Sequence, residues 1–172
     1  MLPVDQAFNE LKNILLKEKC KIITEDPPKY ILVKQGSLNG VLPKSAKKII
    51  KFYLSSEGTG TKITSSTEIA SDWTNMTLFG NMLAAVLAGI FFWIASDMQN
   101  FLETAKASYW SWLAQGYGYP DLSNTLFMIN VTRALAVFLV VAIIAEILIV
   151  VYVYPRKNAF AEITLTKLND LK

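Results

Sequence analysis

The chain is expected to fold as a small α+β domain joined to membrane helices. Three patterns in its 172 residues lead there. Residues 76–96 carry no charge, and residues 134–154 carry only Glu146. Apolar and polar residues alternate with a period of two from Ala46 to Ile69. Apolar residues recur at helical spacing near both ends of the chain. A hydrophobic content of 52% is high for a purely water-soluble globule and suits a chain that is part membrane, part soluble.

Residues 1–73 form the soluble part. Val4, Phe8, Leu11, Ile14 and Leu15 are spaced for one face of a helix, expected from about Pro3 to Lys17. Proline suits a first helical position because its missing N–H would be unpaired there. Four strands should follow. The first is the short run Cys20 to Thr24, closed by Asp26-Pro27-Pro28, and the second is Tyr30 to Val33, closed by Gly36. Residues 36–45 read as a loop. In the third strand Lys48, Ile50, Phe52 and Leu54 share one face, and Lys47, Ile49, Lys51 and Tyr53 the other. A connection at Ser55 to Gly60 leads to the last strand, where Thr61, Ile63, Ser65, Thr67 and Ile69 alternate with polar residues. An antiparallel sheet with one apolar face needs a cover, and one helix hides about half of it.

Residues 76–96 and 134–154 are each long enough, at ~1.5 Å per residue, to cross roughly 30 Å of hydrocarbon. Trp73, just before the first run, suits headgroup depth. Between the runs, residues 97–133 hold an expected helix through Met98, Phe101, Leu102, Ala105, Tyr109, Trp112 and Leu113, either lying on the outer membrane surface or extending the first span, then a turn-rich aromatic loop. Tyr109, Trp110, Trp112, Tyr117 and Tyr119 are expected to form an interfacial aromatic belt. In residues 155–172, Phe160, Ile163, Thr164, Lys167, Leu168 and Leu171 have helical spacing. That amphipathic tail is the candidate cover for the sheet.

Eleven lysines precede the first run, while the connecting stretch has only Lys106 and Arg133. Arg156 and Lys157 directly follow the second run. Positive flanks favour the inner side of a membrane, which gives a cell-membrane protein with both termini cytoplasmic. The N-terminal stretch is amphipathic and carries acids, so it is not read as a secretory signal.

Glu146 is the sharpest feature, because a carboxylate near mid-membrane is costly and turns inward, is protonated or is paired. Asn81 is its candidate neighbour within the chain. Ala84 with Ala88, and Ala85 with Gly89, are four apart and allow close approach of another helix. The chain has no histidine and one cysteine, Cys20. With no metal-ligand spacing, no nucleophile elbow and no phosphate-cradling glycine loop, no catalytic residue, metal or cofactor is expected. A net charge of +3 gives no argument for nucleic acid. The expected partners are membrane lipids and a protein, or a second copy, held through the spans. The resulting function is that of a non-catalytic subunit or adaptor of a membrane assembly with a cytoplasmic docking domain. One alternative is a membrane-tethered module for a lipid or other apolar ligand. Another is an ion-translocating oligomer centred on Glu146.

Overall fold

The computed structural model describes residues 2–58, 60–113, 115–116 and 119–170. Two compact units divide the chain. One holds Met1–Met76 with Leu148–Lys172, the other Thr77–Ile147.

The first unit is α+β. Helix α1, Val4–Lys17, begins one residue later than expected, with Pro3 as its N-cap. Ala7, Phe8, Leu11 and Leu15 are its buried face. It ends where Lys19 turns left-handed, at φ 58°. The Lys19 N–H then reaches the Leu16 carbonyl, and the Cys20 N–H that of Leu15, satisfying two carbonyls that the helix end would orphan.

Strands β1 (Lys21–Asp26), β2 (Tyr30–Gln35), β3 (Lys48–Glu57) and β4 (Gly60–Ile69) form one antiparallel sheet in chain order. The register pairs Ile31 with Phe52, Val33 with Ile50 and Gln35 with Lys48. Across the other edge of β3, Ile50 faces Thr67 and Leu54 faces Ile63. Strand β1 is mostly exposed, and a bulge between Ile22 and Thr24 interrupts its pairing.

The tail forms helix α4, Ala159–Asn169. Phe160, Ala161 and Leu168 join Phe8, Leu11, Leu15, Ile31, Val33, Ile50, Phe52 and Leu54 in one core. Two helices therefore share the cover of the sheet's apolar face. Ion pairs hold the layers at their rims: Lys12 with Glu25 at 2.8 Å, and Lys167 of α4 with Glu18 after α1. Ile163, expected on the docked face, is instead exposed, and Leu171 lies outside the described residues.

In the second unit the helices outrun the expected spans. Helix α2 is unbroken over Ser71–Thr104 and α3 over Leu122–Val153, so the ends of both also belong to the first unit. Residues 71–75 and 122–133 are more polar than the spans, yet contain no proline to stop a helix. The helix expected through Leu113 forms only as far as Thr104, as a continuation of the first run, and its second half does not form. Helix α2 ends at Thr104, Ala105 is left-handed at φ 54°, and only a 3₁₀ turn, Ser111–Leu113, follows. Side chains compete for the backbone there. Asp97 Oδ2 accepts the Trp110 N–H at 2.7 Å, and Ser111 Oγ accepts that of Ser108 at 3.1 Å. Two short strands, β5 (Gln115–Gly116) and β6 (Tyr119–Pro120), pair before α3. Asp121 caps α3, its Oδ1 accepting the Asn124 N–H at 3.1 Å.

Candidate functional site

Helices α2 and α3 are both long and apolar enough to cross a membrane. In their most apolar 18-residue windows only 17% and 6% of the residues are buried. Leu78, Phe79, Val86, Val137, Phe138, Val141 and Leu148 stand open. The covered residues form a narrow stripe on each helix. On α2 it runs through Asn81, Ala84, Ala88, Phe91, Ala95, Met98 and Leu102. On α3 it runs through Thr125, Ile129, Thr132, Ala136, Leu139, Ile143 and Glu146. Steps of three and four alternate on both, which is the seam spacing of helices wound about a neighbour.

Helices α2 and α3 approach each other along this side. Ile94, Met98 and Phe101 pack with Ile129. Arg133 Nη2 donates to Gln99 Oε1 at 3.3 Å. A Cβ on Gly80 would stand 4.0 Å from Glu146 Oε2. Thus Glu146 is half-buried on the seam, against the backbone of α2. Asn81 Oδ1, one residue further on, is buried without a hydrogen-bond partner. The polar side chains Asn81, Thr125, Thr132 and Glu146 lie on the covered stripe beside apolar ones such as Phe91, Met98, Ile129 and Leu139, while many large apolar side chains lie outside it.

Of the four small residues on α2, Ala84 and Ala88 belong to the covered stripe. Ala85 and Gly89 are exposed, with nothing within 4 Å of a Cβ built on Gly89.

The aromatic group is partly as expected in composition and different in build. Trp93 stacks on Tyr109 at 5.3 Å and meets Trp110 edge-on at 5.5 Å; Trp110 lies 6.4 Å from Trp112. Trp93 was hidden in the first apolar run, where nothing marks it as a partner for residues sixteen and seventeen positions on. Tyr117 and the side chain of Tyr119 lie outside the described residues.

Trp73 does not project from α2. It is 4% exposed, packs with Ala46 and Val153, and donates Nε1–H to the Gly40 carbonyl at 3.1 Å. That bond pins residues 36–45, an ordered loop. Gly36 adopts φ 85°, and a Cβ on Gly40 would stand 2.0 Å from the Ser45 carbonyl oxygen, so both positions require glycine. Gln35 Nε2 donates to the Lys44 carbonyl at 2.6 Å, and Lys48 Nζ to that of Pro43. Lys47 pairs with Asp72 nearby.

Lys48 is the residue whose setting the alternation hides. It sits on the inward face beside Ile50, fully enclosed. Burial pushes its ammonium down to about 8 from an ordinary 10.5. Cys20 is also buried. Burial, reinforced by the nearby Glu18 carboxylate, pushes its thiol up to about 11.

Arg156 and Lys157 follow α3. The Arg156 guanidinium lies 4.6 Å from the centre of the Tyr152 ring, and neither basic residue forms an ion pair among the described residues. Among the described residues no three His, Cys, Asp or Glu side chains gather closely enough to hold a metal. No protein family model, curated protein or solved structure matches the chain.

Proposed function

We propose that this is a two-span integral protein of the cell membrane, working without catalysis as a subunit or adaptor of a larger membrane assembly. The supporting observation is how open α2 and α3 leave their apolar residues: Leu78, Phe79, Val86, Val137, Phe138 and Val141 are exposed, while the polar Asn81 and Glu146 lie on the partly covered stripe. Water would drive the reverse arrangement; hydrocarbon favours this one, because it offers polar groups no partners. In this reading the spans form an antiparallel hairpin held along the seam, with Asn81 and Glu146 facing inward. Ala85 and Gly89 offer a smooth strip to a third helix, from a partner or a second copy. The sheet domain, with both termini, lies in the cytoplasm and provides the docking surface.

A cavity of about 350 Å³ is lined by Leu2, Ala7, Ile63, Leu165 and Leu168, between α1, α4 and β4, and keeps a membrane-tethered module for an apolar ligand as the second reading.

Gentle detergent extraction followed by mass measurement tests the assembly. The expected particle is heavier than one chain, and Gly89→Leu should shed the partner. A bare monomer overturns the adaptor role. For topology, Tyr119→Cys should react with an impermeant thiol reagent in intact cells. Labelling only after lysis inverts the orientation.

A further inference from the structure

The loop of residues 36–45 exposes three aliphatic side chains from a rigid frame. Leu38 is 40% exposed, Val41 52% and Leu42 57%. Hydrogen bonds within and to the loop hold it, among them Ser37 N–H to the Ser45 carbonyl, Gly40 N–H to that of Ser37, Leu42 N–H to Ser45 Oγ, and those from Gln35, Lys48 and Trp73. Such a frame does not let the apolar side chains fold away from solvent.

The loop also lies against the stem of α3. Leu42, Pro43 and Lys44 share a cleft of about 350 Å³ with Tyr152, Arg156 and Ala159. The wall is mostly apolar, its two charges are both positive, and no carboxylate lines it. Above Arg156, Leu148, Val151 and Tyr152 are exposed on α3, so the apolar side of the cleft continues into the open surface of that helix. Arg156 is steadied by the Tyr152 ring, and its Nη1 is 3.5 Å from the Tyr152 carbonyl. Its remaining donors point to no acceptor among the described residues.

We propose that this cleft binds an anionic phospholipid. Lys44 and Arg156 take the headgroup phosphate, Leu42 and Tyr152 flank the start of an acyl chain, and Leu38 and Val41 dip into the boundary between headgroups and hydrocarbon. This rests on α3 lying in a bilayer. The loop thereby becomes a second membrane contact of the sheet domain, set by Gly36, Gly40 and Trp73.

The test uses the full chain in nanodiscs of phosphatidylcholine with phosphatidylglycerol. A fluorophore is attached at Leu42→Cys, and at Val141→Cys as a reference on α3; the native Cys20 is buried. Nitroxide lipids labelled near the headgroup should quench the Leu42 probe, and lipids labelled deep in the chain should quench the Val141 probe. Lys44→Glu combined with Arg156→Glu should lower the preference for phosphatidylglycerol over phosphatidylcholine, read by native mass spectrometry, by about tenfold or more. Continued protection of Cys20 from alkylation reports that the variant is folded. If protection is lost, Lys44→Ala with Arg156→Ala takes its place. An unchanged lipid preference, or an unquenched Leu42 probe beside a quenched Val141 probe, overturns the proposal. Displacement of the lipid by millimolar inorganic phosphate also overturns it, by assigning the cleft to a soluble anion. If the Val141 probe is unquenched as well, the membrane reading itself fails.

Discussion

The sheet domain and the long helices use the same apolar residue types in opposite ways. In the sheet domain Leu11, Leu15, Ile31, Val33, Ile50 and Phe52 are sealed inside, and lysines and glutamates pair around the rim. On α2 and α3 many leucines, valines and phenylalanines are outside, and Asn81, Thr132 and Glu146 share the covered stripe with other apolar residues. Helix α1 shows the first rule within one element, and α3 the second. The side chains are alike; the share of them left open differs.

Leu11→Ala should give the largest loss in the sheet domain, about 2–5 kcal/mol, because Leu11 is fully enclosed between helix and sheet. Denaturant unfolding followed at the β signal measures it. A loss under 1 kcal/mol would mean that the core is not as closed as that of a soluble domain.

Val141→Arg, at an open position of α3, sharpens the contrast. In water such a change would cost within about 0.5 kcal/mol. In a bilayer it should cost about 2.5–3.5 kcal/mol and shift the chain out of the carbonate-resistant membrane fraction. Unchanged fractionation would erase the distinction between the two regions.

A smaller effect is expected at Lys48, the exception inside the sheet domain. Its folded pKa of about 8 lies below the ordinary 10.5, so between these values the unfolded chain holds the extra proton. Its contribution therefore makes stability rise with pH from about 8 to 10.5. Cys20 acts oppositely: its folded pKa of about 11 exceeds the ordinary 9.0, and stability falls across that interval. Unfolding curves between pH 7.5 and 9 on this scale should show mainly the Lys48 rise, and Lys48→Met should flatten it. A slope that survives Lys48→Met belongs to another group.

Lys19→Gly should have the smallest effect. Relieving a left-handed lysine should stabilise the sheet domain by about 1 kcal/mol, seen as a higher denaturant midpoint. No change would mean that Lys19 tolerates this conformation without strain.

Much of the sheet domain is legible in the sequence because its signals are local. The period of two in β3 places Lys48, Ile50, Phe52 and Leu54 on one face, and the structure keeps them there. The apolar runs mark α2 and α3, though not their ends, because neither Ser71 to Asn75 nor Leu122 to Arg133 contains a residue that breaks a helix. What is illegible depends on distant partners. The carboxylate of Asp97 meets the backbone of Trp110 thirteen residues away and helps replace a helix with a turn. Trp73 looks like an interfacial anchor until Gly40, thirty-three residues earlier, accepts its proton. Lys48 continues an inward face, but nothing near it in the chain says that Pro43 will offer a carbonyl. The polar stripe was half legible: Glu146 and Asn81 stand out as misfits, whereas their placement on a three-and-four spacing requires both helices.

Helix α4 closes the hydrophobic core, yet it is translated after both long helices. At ribosomal speeds of roughly 5–20 residues per second, the stretch from the end of β4 to the start of α4 takes on the order of 5–20 s to make. Through that interval the sheet has only α1 over its oily side. The order of synthesis thus delays closure: the core of the sheet domain is completed only after both long helices have been made.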